Sequence, residues 1–267
     1  MDSGLSRLFH QRSDKHSLGT RYIGKKILVY DLVTSTNDLA HFLAEGGEPQ
    51  GSVLFARGQR HGSGRLGNTW SCPAGKGIYC SFILRPDLDV ARMPLVTLTV
   101  ALAIVKALQD IHVEKVSIKW PNDVYIGRGK VAGILTEMHL EDDKVGYAVV
   151  GLGINVNLSH DELPDGAASV SLALKREIDL ADLSHIIIKN LDRFYADLLG
   201  GRTRDLLEMI KESSGLILGE RIRVVSAQDT VEGYASDFDE SGSLVIRLDN
   251  GCCRVVHSGH VEKLGSS

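Results

Sequence analysis

The chain has 267 residues, of which 43% are apolar and 24% charged, with a net charge of -4. This length suits one large domain, or a larger domain plus a small one, and the composition supplies a full core. The acidic balance excludes a protein built on nonspecific nucleic-acid binding, so an anionic ligand must be met by local positive charge.

The first residues, MDSGLSRLFHQRSDKHS, are polar and mixed in charge and lack the apolar run of a signal peptide. Residues 1–25 read as a lead-in, poorly ordered or helical. No stretch reaches the apolar length a membrane helix needs. The four cysteines, Cys72, Cys80, Cys252 and Cys253, lack metal-ligand spacing and read as reduced and structural, the last two on opposite faces of one strand. These features lead us to expect a cytoplasmic protein.

KILVYD from Lys26 is β-rich. The turn Ser35-Thr36-Asn37 then caps an amphipathic helix that Gly46-Gly47 stops. The capping role explains one of those three polar side chains well and the others less well. SVLFA from Ser52 is a strand that feeds a glycine-rich loop, and GIYCSFIL from Gly77 is the next strand. LVTLTVALAIVKALQ from Leu95 is too long for one strand and predicts a buried helix. Short strands VSIKW, DVYI, VAGILTEM and GYAVVGLGINV follow, separated by turns at Pro121-Asn122-Asp123 and Gly127-Arg128-Gly129. This order points to an α+β or mixed α/β sheet and away from a doubly wound parallel one. After a polar loop, SHDELPDGAAS, helical spacing returns over 180–199 and 203–212. From about Gly219 five short alternating strands crowd together, with an Asn-Gly hairpin signal at Asn250-Gly251. They predict a small barrel of Src-homology-3 type, with a boundary near residue 218.

Four stretches carry chemistry. In RGQRHGSGRLGNTW, from Arg57 to Trp70, four glycines and the arginines Arg57, Arg60 and Arg65 precede a tryptophan. Glycine lets the backbone approach a ligand closely, and N–H groups beside guanidinium forks make an anion site. The loop reads as a clamp over a ligand with both a phosphate and an apolar body, although a glycine-rich surface turn has the same letters. Gly62 to Gly67 also spell the dinucleotide fingerprint, but its last glycine should open a helix, and here Asn68-Thr69-Trp70-Ser71-Cys72-Pro73 continues as loop. In Lys119-Trp120-Pro121-Asn122-Asp123 a cation, an amide and a carboxylate gather at a strand end. Asp123 could carry a divalent ion on phosphates, while Pro-Asn-Asp also makes an ordinary β-turn. Lys130 opens an apolar strand that Gly133 leaves open to close approach. In Gly151-Leu152-Gly153-Ile154-Asn155, glycines inside a strand mark a bulge or a backbone packed on ligand.

Taken in order, S-T-N, G-x-G-R-x-G-x-x-W, K-W-P-N-D, K-x-A-G-I-L and G-x-G-I-N resemble the biotin protein ligase family from about Lys26 to the C-terminus. The resemblance implies a catalytic domain over 26–218 with the mixed sheet of class II aminoacyl-tRNA synthetases, and a small C-terminal domain over 219–267. It implies biotin and ATP as substrates, magnesium as the ion, and a biotin carboxyl carrier domain of a biotin-dependent carboxylase as acceptor. Ser35, Thr36, Asn37 and Gln59 match contacts to the ureido ring, and Gly62, Ser63, Gly64 and Arg65 the loop that folds over biotin and its adenylate. Arg65 and Lys130 match the charged, catalytic groups at the biotin carboxylate and α-phosphate. Trp70, Lys119, Asn122, Asp123 and Asn155 match the nucleotide side, with Asp123 the metal ligand. Gly133, Gly151 and Ile154 match the floor of the biotin pocket. Two departures stand out. Ser63 replaces an arginine common in bacterial relatives, and the short lead-in does not hold a winged helix, so no repressor activity and no DNA partner are expected. A homodimer through sheet edges and no membrane association are further expectations. The rivals are a lipoate or octanoate ligase on the same scaffold and a noncatalytic nucleotide-binding module.

Overall fold

The computed structural model describes residues 18–215, 217–226 and 229–264, with Leu66 described by its backbone alone. Of the lead-in expected over 1–25, residues 1–17 lie outside these residues, and 18–25 form a series of bends with no helix. A seven-stranded sheet has the order β1-β2-β3-β7-β6-β5-β4. Its strands are β1 (Lys26–Val33), β2 (Ser52–Gln59), β3 (Gly77–Leu84), β4 (Val116–Lys119), β5 (Asp123–Ile126), β6 (Gly129–Glu141) and β7 (Lys144–Asn155). Strands β1 and β2 are parallel and joined through helix α1 (Thr36–Glu45); every other neighbouring pair is antiparallel. The mixed sheet read from the sequence is therefore present. Tight hairpins make the antiparallel half possible: Asp142 and Asp143, both at positive φ, close β6 onto β7.

Alternation along each strand sorts side chains onto two faces. On β7, Ala148, Val150, Leu152 and Ile154 enter the main core, whereas Tyr147 and Val149 join Ala40 and Ala44 of α1 in a smaller cluster. Gly151 and Gly153 continue that second face without side chains, which leaves the α1 side of the sheet open at its centre.

The main core is filled by α2 (Met93–Asp110), whose thirteen buried side chains run round the whole helix. With the 3-10 turn before it, the element spans Val90–Asp110, 21 residues containing an 18-residue stretch of mean hydropathy 1.7, which by length and composition is enough to cross a membrane. The expectation that no stretch reaches that length is thus corrected; here the apolar surface is covered by the sheet and by α4. The polar loop contains a 3-10 turn, His160–Glu162, and ends in a short helix, α3 (Val170–Leu174). Helices α4 (Leu180–Leu199) and α5 (Thr203–Glu212) complete the layer. Asp179 caps α4 by accepting from Ala181 N and Asp182 N.

Five strands follow: β8 (Arg221–Val225), β9 (Thr230–Phe238), β10 (Leu244–Arg247), β11 (Cys253–Val256) and β12 (His260–Lys263). They form an antiparallel sheet of order β11-β10-β9-β8-β12. The small five-stranded C-terminal unit expected is therefore present; among the described residues its pairing ends at β11 and β12, which leaves the sheet open there. Cys252 precedes β11 and Cys253 begins it, and both thiols are exposed, which corrects the structural role expected of them. This sheet is seated on the larger one where Trp120 Nε1 donates to Gly242 O at 3.1 Å.

Candidate active site

Helix α1 starts at the sheet's open centre. Ser35 is its N-cap, its Oγ accepting from Asn37 N at 3.2 Å. Thr36 donates to Gln59 Oε1 from its backbone N at 2.7 Å and from its hydroxyl at 3.1 Å. Gln59, at the end of β2, thus satisfies a helix N–H that the cap leaves over. Asn37 lies across Gly151, where any Cβ would overlap its Oδ1.

The glycine-rich loop closes on itself. Trp70 N donates to Gly62 O and Gly64 N to Asn68 O, each at 2.8 Å. Arg65–Gly67 is a single 3-10 turn that leaves into extended backbone at Asn68, so no helix follows the last glycine and the dinucleotide reading fails on structure as well. The loop delivers the Trp70 indole onto Gly133 and Gly153, which face each other in the β6–β7 register. A Cβ on Gly133 would stand 2.9 Å from Trp70 Cζ3, and one on Gly153 would overlap the indole nitrogen. That nitrogen is buried and has no hydrogen-bond partner.

The charges converge beside it. Arg65 Nη1 donates to Asn122 Oδ1 at 3.0 Å, and Asn122 Nδ2 donates to Ile134 O at 2.9 Å. Lys130 Nζ stands 2.7 Å from Asp123 Oδ1 and 5.4 Å above the Trp70 ring. That ion pair is close without the angle of a hydrogen bond, so the buried Asp123 oxygen keeps unused acceptor capacity. Burial lowers the pKa of Arg65 and the neighbouring Asp123 opposes the shift. Arg57 instead pairs with Asp31 at 3.2 Å, and Arg60 lines a separate open groove by Tyr30 and Leu32. Of the three loop arginines, only Arg65 lines the central cavity.

That cavity holds about 320 Å³. Ser35, Thr36, Asn37, Gln59, Ser63, Gly64, Arg65, Trp70, Lys119, Asn122, Asp123, Lys130, Gly133 and Gly151 all line it, as the sequence led us to expect of binding residues. Three expected residues do not. The Ile154 side chain is wholly buried on the opposite face of β7, in the main core, because it alternates with Gly153. The pocket floor is made by Gly151 and Gly153 in its place. Asn155 is buried at the end of β7, beyond Gly153, and Gly62 packs behind Trp70 and Gln59. Sequence reasoning missed Tyr125, Leu135 and the 259–261 segment. Leu135 could have been found by alternation from Gly133. Nothing in the sequence brings β12 to a cavity on the other sheet.

The biotin/lipoate A/B protein ligase family model matches residues 29–155, and the biotin protein ligase C-terminal domain model matches residues 217–264. The biotin--[acetyl-CoA-carboxylase] ligase of Mycobacterium tuberculosis is 31% identical over 264 residues, covering 94% of this chain and 96% of its own. The chain belongs to the biotin protein ligase family. The bifunctional ligase/repressor BirA of Bacillus subtilis is 34% identical over 253 residues, 93% of this chain and 77% of that one. Among solved structures, the Aquifex aeolicus biotin protein ligase in complex with biotin and ATP superposes with a TM-score of 0.76 at 27% identity, covering 91% of this chain and all of its own. In this ligase fold the floor, the capped helix, the two cationic side chains and the Pro-Asn-Asp turn that meets them come from five separate stretches of chain. No one of them would make a site alone.

Proposed function

We propose that the cavity binds biotin and ATP together, joins them as biotinyl-5'-adenylate and releases pyrophosphate. The biotinyl group then passes to the ε-amine of a lysine on a carboxylase's biotin carboxyl carrier domain. The observation that carries this reading is the meeting of Arg65 and Lys130 at adjacent residues, Asn122 and Asp123, on the wall of the cavity that α1 opens onto.

In the first step a biotin carboxylate oxygen attacks the α-phosphorus of ATP, and the bond to the β,γ-pyrophosphate breaks. In the second, the lysine nitrogen attacks the carbonyl of the mixed anhydride, loses a proton and expels AMP. Both steps gather negative charge at one phosphoryl group, so positioned cations are the means of catalysis. Lys130 and Arg65 supply them, from a half-buried setting where their charge is less screened than in water. Magnesium usually binds through one or two carboxylates together with substrate phosphates, and Asp123, with a buried oxygen short of partners, fits that role. Such an ion would neutralise charge on the phosphates. Trp70 and the loop that carries it cover the reacting atoms and exclude water, which otherwise hydrolyses the anhydride.

The deciding experiment is pyrophosphate release by the purified chain with ATP and either biotin, lipoate or no acid. Release with biotin alone is expected. Equal release with lipoate would move the assignment to the lipoate ligases, and retention of ATP without turnover would make the protein a binding module.

A further inference from the structure

Glu137 lies on β6 two residues past the cavity-lining Leu135 and on the same face of the strand. It lies outside the cavity lining, yet it holds a residue that is part of it. Asn37 Nδ2 donates to Glu137 Oε2 at 2.6 Å and, more weakly, to Leu135 O at 3.4 Å. On the other side Asn37 Oδ1 accepts from Ser81 Oγ at 2.6 Å. Asn37 is only 3% exposed and Ser81 not at all, so neither carboxamide end can turn to bulk solvent.

A carboxamide turned end for end keeps its shape and exchanges a donor for an acceptor, so its partners alone decide which way it faces. Ser81 does not decide, because a hydroxyl both donates and accepts. Glu137 and the Leu135 carbonyl do decide, because a carboxylate and a carbonyl only accept. They hold the Asn37 nitrogen towards β6. The oxygen therefore lies over Gly151, on the cavity floor, with one lone pair taken by Ser81 and one left over. On its far side Glu137 is steadied by His41, whose Nε2 is 3.6 Å from Oε2 and whose Nδ1 is 3.4 Å from the Tyr147 hydroxyl.

We infer that Glu137 is a positioning residue for substrate recognition: it sets the carboxamide of Asn37 oxygen-first, so that the cavity offers an acceptor to a ureido N–H of biotin. The inference rests on the proposed function and adds to it the group that decides the polarity of this contact. A ring offering only acceptors at that place would meet an oxygen and be rejected.

The test compares Glu137→Ala, Glu137→Gln, Asn37→Ala and the Glu137→Ala/Asn37→Ala pair. Biotin affinity is measured by calorimetry without ATP, and KM for each substrate by pyrophosphate release. Wild type is measured first. If it neither binds biotin nor releases pyrophosphate with it, the proposed function itself fails, and this inference with it. With wild type active, Glu137→Ala is expected to weaken biotin about tenfold while KM for ATP stays within about twofold, a change of ~1.4 kcal/mol in one binding step only. Glu137→Gln, which keeps an acceptor oxygen, is expected to recover most of the loss. The double variant should bind no worse than Asn37→Ala, because two residues acting as one unit are not additive. Biotin affinity unchanged in Glu137→Ala overturns the inference. So do fully additive losses, or biotin and ATP weakened alike with a matching fall in melting temperature.

Discussion

Lys130 is held by Asp123 at 2.7 Å while keeping a third of its side chain exposed to the cavity. An incoming α-phosphate offers it a stronger partner and at the same time frees the Asp123 carboxylate for a cation. Lys130→Ala should therefore lower biotin-dependent pyrophosphate release about a hundredfold or more, the scale on which a single transition-state donor acts. The variant should still unfold cooperatively, at a somewhat lower melting temperature because the half-buried Asp123 carboxylate loses its ion-pair partner. Arg65→Ala should act on a different step. With Ser63 in place of a second arginine, Arg65 is the loop's one guanidinium at the cavity, so the variant should form the adenylate but lose it faster. A chase of labelled biotinyl-adenylate with unlabelled biotin and ATP checks this, and an unchanged dissociation rate contradicts it. The cysteines give a prediction of another kind. Burial pushes the Cys72 thiol up to about 11 and raises that of the wholly buried Cys80 as well. Since the thiolate is the nucleophile, alkylation at neutral pH should label the exposed Cys252 and Cys253 and leave the other two unmodified in the folded protein. Peptide mapping after brief iodoacetamide treatment reads this directly.

At the scale of elements, α4 does more than cover the core. Its Asp192 accepts three backbone N–H groups from the segment before β1: Arg21 at 2.8 Å, Tyr22 at 2.6 Å and Ile23 at 2.8 Å. Ile23 is wholly buried, so its N–H has no recourse to water if the carboxylate goes. Asp192→Ala should cost roughly 3 kcal/mol, at about 1 kcal/mol or more for each donor left without a partner. Urea denaturation measures it, and a loss under about 1 kcal/mol would mean that the segment finds other acceptors. None of this was legible in the sequence, where Asp192 is one acid among several on an amphipathic helix. What was legible had local signals: alternation in β8 to β10, the apolar run of α2, and glycines or Pro-Asn-Asp at the turns. By sequence the strand that feeds the glycine-rich loop ends at Ala56, because Arg57-Gly58-Gln59 resembles loop. In the fold β1 continues alongside, pairing Leu32 with Gly58 and Val33 with Gln59, and that pairing carries Gln59 to the start of α1. The site was legible for a related reason. Glycines placed to admit Asn37 and Trp70 leave a written trace, whereas Ile154, one position along, belongs to the other face of the same strand.

For the whole molecule the question is why a ligase cavity on one sheet needs a second sheet. Trp120 belongs to the K-W-P-N-D turn, yet its ring is 1% exposed and its N–H is committed to Gly242 O in the C-terminal sheet. The same turn presents Asn122 and Asp123 to the cavity, and Gly259, His260 and Val261 of the C-terminal segment line the cavity's wall. The seat of the second sheet and the placement of the turn are thus one piece of structure. Gly242 makes that seat possible: its φ is +82°, and a Cβ there would stand 3.1 Å from both Cα and N of Leu95 in the core helix. Gly242→Val should cost about 1–3 kcal/mol from the positive φ alone, with more from the tight approach to the Leu95 backbone, which must shift by a few tenths of an ångström. Trp120→Phe, which removes the donor and half of a wholly buried indole, should cost about 2–3 kcal/mol, the lost hydrogen bond plus the cavity left behind. Both should raise KM for the substrates as well as lower the melting temperature, because each disturbs the seat through which the second sheet holds its wall of the cavity in place. Thermal unfolding and steady-state pyrophosphate release on the same preparations test the coupling. If Gly242→Val melts earlier but binds biotin and ATP as wild type does, the C-terminal sheet only supports the fold, and the wall contributed by 259–261 plays no part in holding the substrates.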